Sequence, residues 1–261
     1  MILKLIACEV FTREACLCIG SSPHRVDIEF TDKGAHNDSA KLRALLQAKI
    51  DAAEASPQPW DAILLGFGLC GNSTIGLSAQ KTRLVIPRAH DCCTIFLGSR
   101  ERFREHFKEN PSLPFSSVGY AERGWTTGSP GEGSFFHEPG TTTNYLLGAD
   151  RTWEQYVEQY GEENARYIME TLGASVEHSL TDHEDNRVVF IQVPELAHLG
   201  FAERARAEAE ASGRQYVELP GDMRLVRKLV HGEWDPEEFL VVQPGRNIAG
   251  VYDWDRVVAE G

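Results

Sequence analysis

Several things are missing from this chain of 261 residues, and each absence narrows the choice of function. No run approaches the ~18 apolar residues that a membrane-spanning helix needs. There is no surplus of positive charge: Lys and Arg number 26 against 39 Asp and Glu, a net charge of −13. A protein that neutralises phosphates needs a basic stripe, so nucleic acid and anionic membrane surfaces are excluded as partners. Six cysteines are too few for a disulfide scaffold, and none stands in a C-x-x-C pair. No Walker loop is present, and the spacing G-x-S-x-G does not occur with serine. An export signal is also missing. Residues 1–7 carry one lysine and a short apolar core, but Cys8, Glu9 and Arg13 follow at once. They read as a first strand. These absences place the chain in the cytoplasm, where thiols stay reduced. There a cysteine is packing, a metal ligand or a nucleophile.

What is present is an alternation of strands and helices. Short apolar runs predict strands over 1–7, 26–30, 62–66, 84–87, 187–193, 215–219 and 239–242. A period near 3.6 predicts helices over 14–19, 40–55 behind Ser39 as N-cap, 151–172, 203–212 and 223–231, with another starting at Thr94. This order predicts an α/β fold, doubly wound and Rossmann-like, with one long parallel sheet or two. Residues 110–147 break the period and are punctuated by Pro114, Pro130 and Pro139, which predicts an irregular lid-like excursion. The chain divides accordingly into an N-terminal α/β lobe over 1–110 that carries the cysteine site, the excursion and a helix over 111–180, and a C-terminal α/β lobe over 181–261.

The cysteines fall where such a fold puts its ligands. In an open α/β sheet, the loops leaving the carboxyl ends of strands line the ligand crevice. Cys8 follows the first strand, Cys70 the strand at 62–66, and Cys92 and Cys93 the strand at 84–87. We therefore expect Cys8, Cys70 and Cys92 to form one metal site. Three thiolates suit zinc or a [4Fe-4S] cluster, and either would keep one position open for substrate. His90, two residues before Cys92, is a candidate fourth ligand or proton donor, and Asp91 a candidate to orient it. These two are the expected catalytic residues. Arg88 is placed to hold an anionic group. Asn72 and Ser73 offer donors beside Cys70, which completes the expected substrate-binding set. Cys16 and Cys18 lie on a helix away from the strand ends and read as packing. Cys93 points away from Cys92 and reads as packing or as a neighbour of the site. A Cys92 nucleophile with His90 as base is the competing chemistry, but it leaves Cys8 and Cys70 without a role.

The strings LLGFGLCGN, LVIPRAHDCCTIFLGSRERF, WEQYVEQYGEENARYIMETLG and HGEWDPEEFLVVQPG, in this order, resemble the family known as domain of unknown function 1638. The likeness runs from residue 6 to about 245, and the family pattern matches at Cys8, Cys70, His90, Asp91 and Cys92. The stretch 128–143 is longer than the family pattern. The resemblance implies a soluble protein whose gene lies near corrinoid-dependent methyltransferases of methylamines or betaines, and hence a place in one-carbon metabolism. Together these readings make the chain a metalloenzyme, a lyase, hydrolase or transferase, acting on a small sulfur-, nitrogen- or methyl-bearing molecule. Corrinoid methyltransferase components are its expected protein partners. The alternatives are a non-catalytic accessory protein that binds a metal or corrinoid for such a system, and a small-molecule binding module whose cysteines only pack.

Overall fold

The computed structural model describes residues 1–110, 113–123, 186–251 and 255–261. The helix expected over 151–172 and most of the excursion, including 128–143, lie outside them. In chain order the described elements are β1 (Ile2–Cys8), α1 (Thr12–Gly20), β2 (Arg25–Thr31), α2 (Ser39–Ala55), β3 (Ala62–Gly66), β4 (Leu84–Pro87), α3 (Cys92–Leu97), α4 (Arg100–Phe107), β5 (Phe115–Ser117), α5 (Val118–Glu122), β6 (Arg187–Gln192), α6 (Phe201–Ala211), β7 (Gln215–Pro220), α7 (Arg224–His231), β8 (Phe239–Val242), β9 (Ile248–Gly250) and β10 (Val258–Glu260). Short 3-10 turns occupy Glu9–Phe11, Lys33–Asn37 and Pro194–Leu199.

The central sheet has five strands in the order β2-β1-β3-β4-β8. Its first four strands are parallel, which makes this a mixed α/β protein of broadly Rossmann-like build. β3 and β4 are buried along nearly their whole length, with no alternation of exposure. Continuous apolar strands of this kind are what a sheet covered on both faces requires. β2 is the edge strand, and there exposure alternates. Its outward Asp27 and Glu29 pair with Lys4, and Glu29 pairs also with Lys49 on α2. Charges along an exposed edge discourage pairing with another chain.

The helices pack by their apolar stripes. α2 buries Leu42, Leu46, Ile50 and Ala53, and Asp38 caps it by accepting the N–H groups of Ala40 and Lys41 at 3.0 Å each. The cap is thus one residue earlier than Ser39, because the carboxylate serves two donors at once. α7 buries Leu225, Val226, Leu229 and Val230 and packs on α1, β3 and β4. Truncating one such buried leucine to alanine costs roughly 2–5 kcal/mol.

Strands distant in sequence meet in both sheets. β8, inside the expected C-terminal lobe, pairs antiparallel with β4, Leu84 opposite Val242 and Pro87 opposite Phe239. β5, inside the expected excursion, pairs parallel with β6, and β6 with β7, in a second sheet of three strands. The reason is physical: a four-residue apolar run carries no local information about which sheet receives it. One core joins the two sheets, with Phe115, Val189, Ile191 and Leu219 in the same cluster as Leu5, Ile63 and Val85. β9 and β10 form a small antiparallel hairpin. No described helix is long and apolar enough to cross a membrane.

Candidate functional site

Strand order sets the position of the site. In an open sheet the crevice opens where the order reverses, at the carboxyl ends of the strands. Here the reversal lies between β1, whose next strand in sequence is on one side, and β3 on the other. β1 ends at Cys8. β3 ends at Gly66, opposite Ala7 in register, and leads into the loop that carries Cys70.

That loop is clasped to the loop after β4. Leu69 N–H donates to Ala89 O at 2.8 Å and Cys70 N–H to His90 O at 2.9 Å. The approach is so close that a side chain on Gly68 would put its Cβ 2.7 Å from Ala89 O and from Asp91 N. Cys70, Gly71 and Asn72 then run through three consecutive left-handed conformations, φ 46°, 61° and 68°. A non-glycine residue there stores about 1–2 kcal/mol of strain. The surroundings hold it in place: Cys70 O accepts from Ser73 Oγ at 2.7 Å, and Asn72 O from Arg43 Nη2 at 2.7 Å. Gly66, Gly68 and Gly71 also stand at G-x-G-x-x-G spacing, which marks dinucleotide binding when a helix follows. Here the chain turns after Gly71 instead of entering a helix.

Cys92 begins α3, with Asp91 as its N-cap accepting Thr94 N–H at 3.1 Å. The three thiols so delivered sense one another. A charge on Cys92 raises Cys8, a charge on Cys8 raises Cys70, and a charge on Cys70 raises Cys92. Burial is the larger cause in each case and pushes all three thiols well above their usual range. Burial also lifts the Asp91 carboxyl to about 6. The thiols do not stand as a ready cage: among the described residues no group of three or more His, Cys, Asp or Glu is set to hold a metal ion.

The other expected site residues are scattered. His90 stacks on Phe103 of α4, ring centroids 5.5 Å apart, and the Asp91 carboxylate caps α3 instead of bonding to His90. Arg88 ties the end of β4 to the C-terminal part of the chain, donating to Pro236 O at 2.8 Å, to Arg256 O at 2.9 Å and to Val258 O. Its guanidinium braces the end of β4. Ser73 is fully buried and holds the Cys70 carbonyl, and Asn72 is part of the left-handed turn. Cys93 is buried in the core, Cys18 is buried on α1, and Cys16 is exposed.

Sequence reasoning misses the polar groups that surround the thiols. Tyr120 Oη and Cys92 Sγ are hydrogen-bonded at 2.9 Å. Lys33 lies with its ammonium 5.7 Å from the centre of the Tyr120 ring and donates to Arg123 O at 2.9 Å. Glu9, next to Cys8 and fully buried, accepts from Lys33 N–H at 2.9 Å and from Arg123 Nε at 3.2 Å. His36 stacks on Phe67 at 5.8 Å, and burial draws its imidazole down to about 4. Tyr120 and Arg123 fall in a segment with no period, and Lys33 and His36 in a run that reads as a turn.

The class these features define is a mixed α/β protein with a mostly parallel central sheet of broadly Rossmann-like build. The chain belongs to the family described as protein of unknown function (DUF1638), whose model matches residues 30–230. Comparison with curated proteins and with solved structures returned no match.

Proposed function

We propose that Cys8, Cys70 and Cys92 hold a soft metal centre, zinc or a [4Fe-4S] cluster, and that the chain is a metalloenzyme. Its substrate would be a small sulfur-, nitrogen- or methyl-bearing molecule of one-carbon metabolism. The observation that carries this reading is the placement of three thiols at the carboxyl ends of the parallel strands, Cys8 at the end of β1, Cys70 on the loop after β3 and Cys92 at the start of α3, with Cys8 and Cys92 buried and Cys70 half-buried. Charging these thiols away from water is costly unless a cation arrives. Metal binding offsets that cost, because it is linked to loss of the thiol protons.

When bound, the metal would act as a Lewis acid or as a substrate-binding iron. Tyr120 would hold the Cys92 sulfur, and the clasped loops would keep Cys70 in its left-handed turn. His90 and Asp91, on the loop leading to Cys92, would carry the acid–base part. The charge on Asp91 acts on both Cys70 and Cys92. A corrinoid or methyltransferase component as partner rests on the family resemblance alone.

The test is metal analysis and ultraviolet–visible spectroscopy of protein produced without oxygen. Stoichiometric zinc supports the Lewis-acid form, a broad charge-transfer absorption supports the cluster, and protein free of both metals overturns the reading. His90→Ala then separates two roles: lost metal marks a ligand, and retained metal with lost turnover marks proton transfer.

A further inference from the structure

We propose that the cleft between α1, α7 and the carboxyl edge of the second sheet binds a small zwitterion, an ammonium and a carboxylate on a short aliphatic body. Arg227 receives the carboxylate and Glu195 the ammonium. The inference is independent of the metal reading, since none of Cys8, Cys70 and Cys92 lines this cleft.

The fold makes this cleft from three segments. The second sheet is parallel throughout, so β6 and β7 end on one edge, the edge at which α/β proteins place ligands. β6 ends at Gln192 and leads into the 3-10 turn that carries Glu195. β7 ends at Pro220 and leads through Asp222 and Met223 into α7. Gly221 N–H donates to Gln192 O at 2.7 Å and holds the two exits together. α1 supplies the third side with Leu17, Cys18 and Ser21, which share one helix face. The cleft has a volume of about 310 Å³, and small-molecule sites run from about 300 to 1,000 Å³. Leu17, 48% exposed, lines it with Cys18 and Met223, and these three offer an apolar surface to the ligand's body.

Four charged side chains line the cleft, and two of them are committed elsewhere. Asp222 Oδ1 accepts Arg224 N–H at 2.8 Å. Arg224 pairs with Glu238 at 2.6 Å and donates to Gly98 O at 2.8 Å. The Glu195 carboxylate and the Arg227 guanidinium have no hydrogen-bond or ion-pair partner among the described residues. They stand on different elements, and the charge of each acts on the Cys18 thiol, yet they do not close on each other. A guanidinium receives a carboxylate through two parallel N–H donors, and a carboxylate accepts from an ammonium. Glu14 decides for a zwitterion over a plain anion. It lies one turn before Cys18 on the same face of α1, is 1% exposed, and has no partner for either carboxylate oxygen. Its charge also acts on Cys18. Around that thiol stand one cation and two acids with no partner of their own, a set that favours a ligand with an ammonium as well as a carboxylate.

The experiment titrates the full chain by calorimetry with 4-aminobutanoate, 5-aminopentanoate, 6-aminohexanoate and L-leucine. Hexanoate and hexylammonium are the singly charged controls. At least one zwitterion is expected to bind about tenfold more tightly than either control. Arg227→Gln should weaken that zwitterion about tenfold and leave hexylammonium unchanged. Glu195→Gln should weaken it to a similar degree and leave hexanoate unchanged. Arg227→Lys, which keeps the charge, should bind more tightly than Arg227→Gln. Both side chains are exposed, so the thermal midpoint of each variant should match the parent. Zwitterions that bind no better than the controls overturn the inference, as does an affinity that survives both Arg227→Gln and Glu195→Gln. Hexanoate bound as tightly as any zwitterion marks a plain anion site and overturns it too.

Discussion

The six cysteines form two populations that the fold treats differently. Cys16 and Cys18 sit on α1, one exposed and one buried, in a helix that packs on α7. Burial pushes Cys18 up to about 12, and no second thiol takes part. Cys8, Cys70 and Cys92 come instead from the end of β1, the loop after β3 and the start of α3, and each is affected by the charge of another. The difference lies in where the backbone delivers them. A helix spreads its cysteines along its own surface. A parallel sheet collects residues that are distant in sequence at one edge.

The sharpest way to break this comparison is substitution. Cys8→Ser, Cys70→Ser and Cys92→Ser should each lower bound metal by more than about 100-fold, since even outer partners cost 10–100-fold. Cys16→Ser and Cys18→Ser should leave metal content as it is. Elemental analysis of the purified variants decides the matter, and equal loss from both populations would sink the distinction.

The next effect lies on α1 itself. Glu14 is 1% exposed, both carboxylate oxygens lack a hydrogen-bond partner, and burial raises its pKa to about 7. Below the unfolded value of about 4.3 the group is neutral in both states and carries no penalty. As pH rises through that value to about 7, the unfolded chain ionises first, so the folded state loses stability over that window. The loss levels off above it, at roughly 3 kcal/mol. Glu14→Gln should therefore gain about that much over the parent between pH 4 and pH 8 in urea unfolding. A difference that does not change with pH would contradict the assignment.

Gly68→Ala comes third. The added Cβ would press on the backbone at Ala89 and Asp91 and push apart the loops that carry Cys70 and Cys92. A cost of about 1–3 kcal/mol is expected from overpacking, together with weaker metal binding. A drop in the denaturant midpoint without any change in affinity would show that the clasp does not serve the thiols. The smallest effect belongs to exposed Cys16: its serine variant should stay within about 0.5 kcal/mol of the parent.

Much of this architecture was legible in the sequence. β3, β4 and β8 begin and end where their apolar runs do, because such runs stop at glycine, proline or a polar residue. The parallel order of β1, β3 and β4 followed from strand–helix alternation, and with it the common edge for Cys8, Cys70 and Cys92. The rest depends on contacts between residues distant in sequence. Nothing in FLVV says that it will pair with LVIP. Nothing near Arg88 says that its guanidinium will meet carbonyls of residues 236, 256 and 258. Lys33 and Tyr120 were hidden for the same reason. Each is ordinary in its local segment and acquires meaning only from what the fold sets beside it.

The pairing of β4 with β8 also fixes when the molecule can be finished. Leu84 waits for Val242, so during synthesis β4 presents an open edge until nearly all of the described chain has been made. Pairings so distant in sequence form slowly, and an open apolar strand is a site of mispairing while it waits. The thiol-bearing loop that leaves β4 is therefore among the last parts of the molecule to be secured.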